Sequence, residues 1–294
     1  MKQYLGIDLG GTNIAVGLVT QDGTLLRKNS VPTASERGVP AILQDITALC
    51  RKVLADSGTS LEDITSVGIG SPGRCDRKHG TISHAANIGF HQVEICSILR
   101  EALGVPVYLA NDADCAALGE SAAGAAKGTH TSIAVTLGTG IGGGVIVGGK
   151  LVNSELGHMT IAFDGEPCSC GSRGCFEAYA SATALIRQAK AAGLDADTAK
   201  AVFDAADNGD KVAESVIDSY VNYIAIGLAN LIDVLLPDII VIGGGISSRG
   251  EKILLPITDA VRTKVFGREL TTKFAIATLG NDAGIIGAAL LRKD

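Results

Sequence analysis

The sequence predicts an α/β protein built from two related halves. Three observations carry that expectation. Short apolar runs of strand length alternate with longer segments of helical spacing, the pattern of parallel sheets covered by helices. A similar order of elements restarts near residue 131. Glycine-rich turns follow three of the apolar runs, and the chain of 294 residues holds 38 glycines but only eleven Phe and Tyr.

The elements read in order as follows. Tyr4–Leu9 is a strand ending in Asp8-Leu-Gly10-Gly11-Thr12. Asn13–Thr20 and Leu25–Val31 are strands joined at Asp22-Gly23, a hairpin signal. Val39–Asp56 has helical spacing. Ser66–Gly70 is a strand ending in Ser71-Pro72-Gly73. Pro106–Ala110 is a strand ending in Asn111-Asp112, and Ala113–Ala123 is a helix. The second series opens with Ser132–Leu137, ending in Gly138-Thr139-Gly140. Gly143–Val147 and Lys150–Val152 continue it. The longest helix spans Asp210–Leu236. Ile239–Ile242 ends in Gly243-Gly244-Gly245, Phe274–Thr278 is a late strand and Asp282–Leu291 a closing helix. The expected halves are residues 1–122, joined by the closing segment 282–294, and residues 123–281. No Pro/Ser-rich linker separates them, so a cleft between two closely joined lobes is expected.

Composition narrows the partners. The hydrophobic fraction is 46% and the charged fraction 19%, as in a globular chain. The net charge of -6 and the lack of a basic run speak against nucleic acid. No leader pattern opens the chain and no apolar run is long enough to span a bilayer, so no membrane and a cytoplasmic location are expected.

The densest chemistry lies mid-chain, in Glu155-Leu-Gly-His158 and Cys168-Ser-Cys170-Gly-Ser-Arg-Gly-Cys175-Phe-Glu177. Three thiols and an upstream imidazole are a Cys3His ligand set suited to tetrahedral zinc. A disulfide is the rival, but it leaves one thiol over and a reducing cytosol disfavours it. Such a clip would hold Glu155 and Glu177 on a fixed loop. Cys50, Cys75, Cys96 and Cys115 are read as inert thiols.

The turns Gly10-Gly11-Thr12, Gly138-Thr139-Gly140 and Gly243-Gly244-Gly245 offer backbone N–H groups to phosphate oxygens. None has the Lys-Ser/Thr of a P-loop, and none is a dinucleotide fingerprint. Asp8, at a strand end, suits Mg²⁺, which takes oxygen ligands. Thr12 and Thr139 can donate hydroxyls. Asp112 sits where α/β folds place ligands, and a carboxylate there can take a proton; its bland reading is a helix N-cap. Asp114 and Glu120 are given no catalytic part.

Together these motifs resemble the nucleotide site of the sugar kinase, Hsp70 and actin superfamily, and the Glu155–His158 and Cys168–Glu177 segments resemble the ROK sugar kinases. The resemblance covers essentially the whole chain. It implies two RNase H-like lobes around a central cleft, ATP and Mg²⁺ as cosubstrates, a structural Zn²⁺, a homodimer or homotetramer, and phosphorylation of a hexose 6-hydroxyl. By position it implies Asp112 as catalytic base, with Gly73, Asn87, Asn111, Glu155, His158 and Glu177 around the sugar. It implies zinc on His158, Cys168, Cys170 and Cys175, with His158 serving sugar as well. Glucose is the expected sugar; N-acetylmannosamine, N-acetylglucosamine, fructose, mannose and allose are alternatives, polyphosphate is a possible second donor, and a sugar-sensing regulator is a remote one. Ser154, Asp114 and Phe90 depart from the usual family residues near the sugar pocket.

Overall fold

The structure is a computed structural model and describes residues Lys2–Arg292. Two compact units divide the chain. One takes residues up to Gly128, Gly149–Leu151 and those from Thr278 on; the other takes Thr129–Gly148 and Val152–Ala277. Residues 122 and 123, where the sequence set its boundary, mark the end of a helix.

The first unit opens with β1 (Gln3–Leu9), β2 (Asn13–Thr20), β3 (Leu25–Pro32) and α1 (Val39–Ser57). It continues through β4 (Ile64–Ser71), β5 (Arg74–Asp76), β6 (Thr81–Ala85), β7 (Phe90–Val93), α2 (Ile95–Leu103), β8 (Val107–Asn111) and α3 (Asp112–Ala123). Its main sheet has the order β3-β2-β1-β4-β8, antiparallel across β3-β2-β1 and parallel across β1-β4-β8. The mixed directions follow from the connections. A tight turn at Gly23 (φ 85°) reverses β2 into β3, whereas helical crossovers return β4 and β8 parallel to β1. Helix α1 buries Ile42, Ile46, Leu49, Cys50 and Val53, one apolar stripe at helical spacing, against this sheet's core.

The second unit contains β9 (Thr131–Leu137), β10 (Ile141–Val147), the last residue of β11 (Lys150–Val152), whose first two are grouped with the first unit, α4 (Phe176–Ala180), α5 (Ala182–Ala191), α6 (Ala199–Asp207), α7 (Lys211–Leu235), β12 (Ile239–Gly243), α8 (Glu251–Arg262) and β13 (Lys273–Ile276). Its sheet order, β11-β10-β9-β12-β13, repeats that of the first unit. The restart read from the sequence is therefore a structural repeat. Helix α7 is, by length and composition, apolar enough to cross a bilayer, contrary to the sequence expectation. Its Val216, Tyr220, Ile224, Leu228 and Ile232 are packed in the second unit's core, which accounts for its hydropathy.

Helix α9 (Asp282–Ala289) closes the first unit. Lys293 and Asp294, the end of the expected closing segment, lie outside the described residues. Glycines let α9 approach closely: a Cβ on Gly6 of β1, Gly68 of β4 or Gly119 of α3 would overlap a carbonyl of residues 283–288. Buried Glu120 ties the same region together. Its carboxylate accepts the backbone N–H of Ala125 (2.8 Å), Thr278 (2.9 Å) and Leu279 (2.9 Å) and the Thr278 hydroxyl (3.3 Å). Glu120→Ala would orphan these donors. It is expected to lower the stability of the first unit by about 3–5 kcal/mol, read as a shift in its urea midpoint.

Candidate active site

In the first unit the site starts from strand register. Asp8 of β1 pairs with Gly70 of β4, and Gly70 with Ala110 of β8. The three parallel strands thus end together, with Asp8 on β1 and Asn111-Asp112 at the end of β8 on the same C-terminal edge. A Cβ on Gly70 would lie 3.1 Å from the Cys115 Sγ and 3.6 Å from the Asp112 Cα, so glycine there lets α3 start close to β4.

The cap of α3 is Asn111, whose Oδ1 accepts the Ala113 N–H (2.9 Å). Asp112 is the first helical residue, so the bland reading of it as the N-cap does not hold. Its Oδ1 also accepts from Ala113 (2.9 Å). The Asn111 Nδ2 donates to the Gly73 carbonyl (3.1 Å), which fixes the Ser71-Pro72-Gly73 turn beside the helix start. Gly73 has φ 82°, and a side chain there would overlap the His84 carbonyl.

Burial raises the pKa of Asp112. Asp8 is raised from 3.8 to about 6, first by burial and then by the Asp112 charge. No hydrogen-bond donor offsets this among the described residues, so the ionised form of the half-buried Asp8 is disfavoured. Folding raises its pKa, so the ligand-free chain loses stability as pH rises from about 4 through about 6, by roughly 3 kcal/mol. Asp8→Asn is therefore expected to unfold at a higher temperature than the parent at pH 8 and at nearly the same temperature at pH 4.

The turn after Asp8 is braced from behind. Gly10 N–H donates to the Asn13 carbonyl (2.9 Å), Thr33 Oγ1 to the Gly10 carbonyl (2.7 Å), and the Thr33 N–H to the Thr12 carbonyl (2.8 Å). A Cβ on Gly11 would come within 3.1 Å of Asn87 Nδ2. Gly10, Gly11, Thr12 and Asn87 thus stand together. Buried Thr33, which the sequence reading missed, supports the turn; it follows an ordinary edge strand and carries no motif. Phe90 is fully buried in the first unit's core.

In the second unit His158, Cys168, Cys170 and Cys175 converge, with one ligand atom from each lying within 4.8 Å of the others. Cys168 Sγ is 3.7 Å from His158 Nδ1, and Cys170 Sγ is 3.6 Å from Cys175 Sγ. A tetrahedral zinc has ligand-to-ligand edges of about 3.6–3.8 Å, given Zn–S near 2.3 Å and Zn–N near 2.0 Å. The cluster fits that ion, and the cysteines are free thiols, not disulfides. A backbone hydrogen bond from Ser172 lowers the Cys170 pKa to about 7, favouring a thiolate ligand.

Local backbone builds this loop. Gly157 allows the turn Leu156–His158 to lie on the Ile141 carbonyl, and Gly174 (φ 76°) allows the cysteine loop to lie on Ala162. Phe176 N–H then donates to the Met159 carbonyl (2.7 Å). Glu177, in the first turn of α4, accepts the Ile141 N–H at Oε2 (3.0 Å) and the Ser169 hydroxyl at Oε1 (3.1 Å). It therefore links the cysteine loop to the start of β10. Glu155 stands exposed just before the turn.

A cavity of about 530 Å³ in the same unit is lined by Gly138, Thr139 and Gly245, joining two of the three glycine turns. Gly244 (φ 83°) lies where a side chain would overlap the Leu137 carbonyl, which explains a run of glycines after β12. Phe203 and Arg249 also line the cavity, with the guanidinium 4.9 Å from the ring centroid and donating to Asp207 (2.7 Å). The sequence reading missed both, since they sit in segments with no motif. An apolar wall, a fixed cation and open glycine backbone suit a flat ring bearing phosphates.

The comparisons agree with this geometry. The model of the ROK family matches residues 4–294. A glucokinase of Halalkalibacterium halodurans is 38% identical over 314 aligned positions, covering 99% of this chain and 95% of that protein. The ROK hexokinase from Thermus thermophilus superposes with a TM-score of 0.90 at 36% identity, covering 98% of this chain and 97% of that one. A ROK family glucokinase from Streptomyces griseus, solved with glucose and AMPPNP, superposes with a TM-score of 0.77 at 34% identity, covering 98% of each chain. With its repeated sheets, its Cys3His loop and this full-length match, the chain belongs to the ROK family.

Proposed function

We propose that this chain is an ATP-dependent hexose kinase that phosphorylates the 6-hydroxyl of glucose. The observation that carries the reading is the half-buried pair Asp8 and Asp112 at the C-terminal ends of parallel strands, both with raised pKa values, in a ROK chain. Asp112 is the base. One of its oxygens is held by Ala113, and the other accepts the proton of the attacking sugar hydroxyl. A base with a raised pKa is better matched to that transfer near neutral pH than an ordinary carboxylate.

Sugar hydroxyls are read by Asn87, Asn111, Glu155, His158 and Glu177, with the Gly73 turn beside them. Asn111 donates from Nδ2 to the Gly73 (3.1 Å) and Ser71 (3.5 Å) carbonyls and accepts from Ala113 at Oδ1, so it braces the turn that stands beside the sugar. His158 turns Nδ1 to the cysteines and keeps Nε2 for the sugar. The nucleotide lies on Gly10, Gly11, Thr12, Gly138, Thr139, Gly140 and Gly243–Gly245, whose backbone N–H groups meet its phosphates. Asp8 would hold Mg²⁺, which would supply neutralisation of phosphate charge. Zinc in the Cys3His cluster is structural and holds His158 and Glu177 in place.

Two further parts complete the reading. The chain works in a reducing cytosol, where its cysteines stay thiols. It also self-associates as a dimer or tetramer. Val234, Leu236 and Phe266 are 79%, 75% and 88% exposed, and the Phe266 N–H bonds Asp233 (3.0 Å), so they form one apolar face of the second unit. Light scattering of the purified chain measures this directly.

A coupled ADP-release assay across glucose, mannose, fructose, allose, N-acetylglucosamine and N-acetylmannosamine tests the function. Glucose is expected to give the highest kcat/KM. Preference for an N-acetylated sugar would keep the kinase and overturn the sugar assignment. Sugar binding without turnover would overturn the kinase reading in favour of a sugar-sensing regulator.

A further inference from the structure

A second large cavity, of about 580 Å³, lies in the first unit, and neither Asp8 nor Asp112 lines it. Its lining includes Arg77, Lys78 and His79 from the loop between β5 and β6, Arg100 from α2, and Arg292 after α9. Val107, Leu109 and Leu291 supply apolar wall. The lining thus carries four permanent cations and no carboxylate, in a chain whose net charge is -6.

Separate sequence segments bring these cations together. Arg77 already has an interaction of its own, and His79 Nδ1 pairs with Asp76 at 2.7 Å. Neither carries the argument. Arg292 donates to the Tyr4 hydroxyl (3.2 Å) and lies over that ring at 5.2 Å, so it is held in place by a neutral group. Among the described residues the side chains of Lys78 and Arg100 have no carboxylate partner. Like charges gathered around one concavity repel each other unless an anion enters. Arginine forks with a lysine suit phosphate oxygens, and the apolar wall suits an uncharged body attached to them.

We propose that this cavity binds a small phosphate monoester, separately from the substrates of the kinase reaction. The phosphate meets Lys78, Arg100 and Arg292, and the organic body lies against Val107, Leu109 and Leu291. A ligand there touches β8, the strand that ends in Asn111.

The test is calorimetric titration of glucose 6-phosphate, and separately of inorganic phosphate, into the chain saturated with glucose and a non-hydrolysable ATP analogue. Occupying the substrate sites first removes competition from them. One saturable site is expected for glucose 6-phosphate, weakening as salt is raised. Lys78→Ala/Arg100→Ala should weaken it by roughly a hundredfold, about tenfold per lost charged hydrogen bond. The single Arg100→Glu variant should abolish it. Kinase turnover in both variants should match the parent, which establishes that they fold. Binding of inorganic phosphate at the same site would show that the phosphate alone is recognised; its absence would show that the organic body is needed, and both support the proposal. No saturable binding to the parent, or affinity unchanged in the folded variants, would overturn it.

Discussion

Replacing Asp112 by Asn is expected to lower kcat by about 10²- to 10⁴-fold while glucose still binds. The amide keeps the shape of the carboxylate and can still accept the Ala113 N–H through its oxygen. It cannot take the hydroxyl proton. The split between kcat and sugar affinity is the informative readout, because a residue that only caps the helix would change stability and leave turnover intact. The cap belongs to Asn111, so Asp112→Asn should melt close to the parent. Turnover at the parent rate would remove Asp112 from the chemistry.

Removing the metal should act on the sugar, not on the phosphoryl chemistry. Elemental analysis is expected to find one zinc per chain. Cys170→Ala, or stripping with a strong chelator, should empty the site and raise the KM for glucose by about 10- to 100-fold, with a smaller change in kcat. The reason is geometric. His158 Nδ1 faces Cys168, and Glu177 takes the Ser169 hydroxyl from within the cysteine loop. Without a metal, three thiols and an imidazole cannot hold that loop, and His158 and Glu177 lose their orientation together. A fully active parent chain containing no zinc would defeat this account.

Much of the fold was legible because its signals are local. β2 and β11 were read to the residue, and α1 and α7 to within a residue at each end, since strand runs and apolar helical stripes are written in the sequence itself. The small sheet β5-β6-β7 was not read. Its strands are three to five residues long, too short for alternation to show. Helix α8 went unnamed; it carries Pro256 in its interior, a residue that ordinarily argues against a helix.

The site divides in the same way. Residues in motifs were found: the cysteine cluster and the glycine turns announce themselves by spacing. Thr33, Phe203 and Arg249 were not, because each acts only through neighbours that folding brings to it. Glu120 was given no catalytic part, and no structural one was read for it. Its role appears only once residues 278 and 279, far along the chain, arrive to donate to it. Sequence spacing records what sits within a few residues, and these contacts span tens to more than a hundred.

The contact of α9 with β1 sets the timing of synthesis. β1 is made before the second unit, but the helix that must lie on it is made after that unit. From Leu9 at the end of β1 to Asp282 at the start of α9 roughly 270 residues intervene, which at about 5–20 residues per second is about 14–54 s of waiting. The second unit can finish within that interval, while the strands β1 and β4 remain without their covering helix. The half of the chain that carries Asp8 and Asp112 is therefore made first and completed last, and a nascent chain stalled before Asp282 would display a finished second unit beside an unclosed first one.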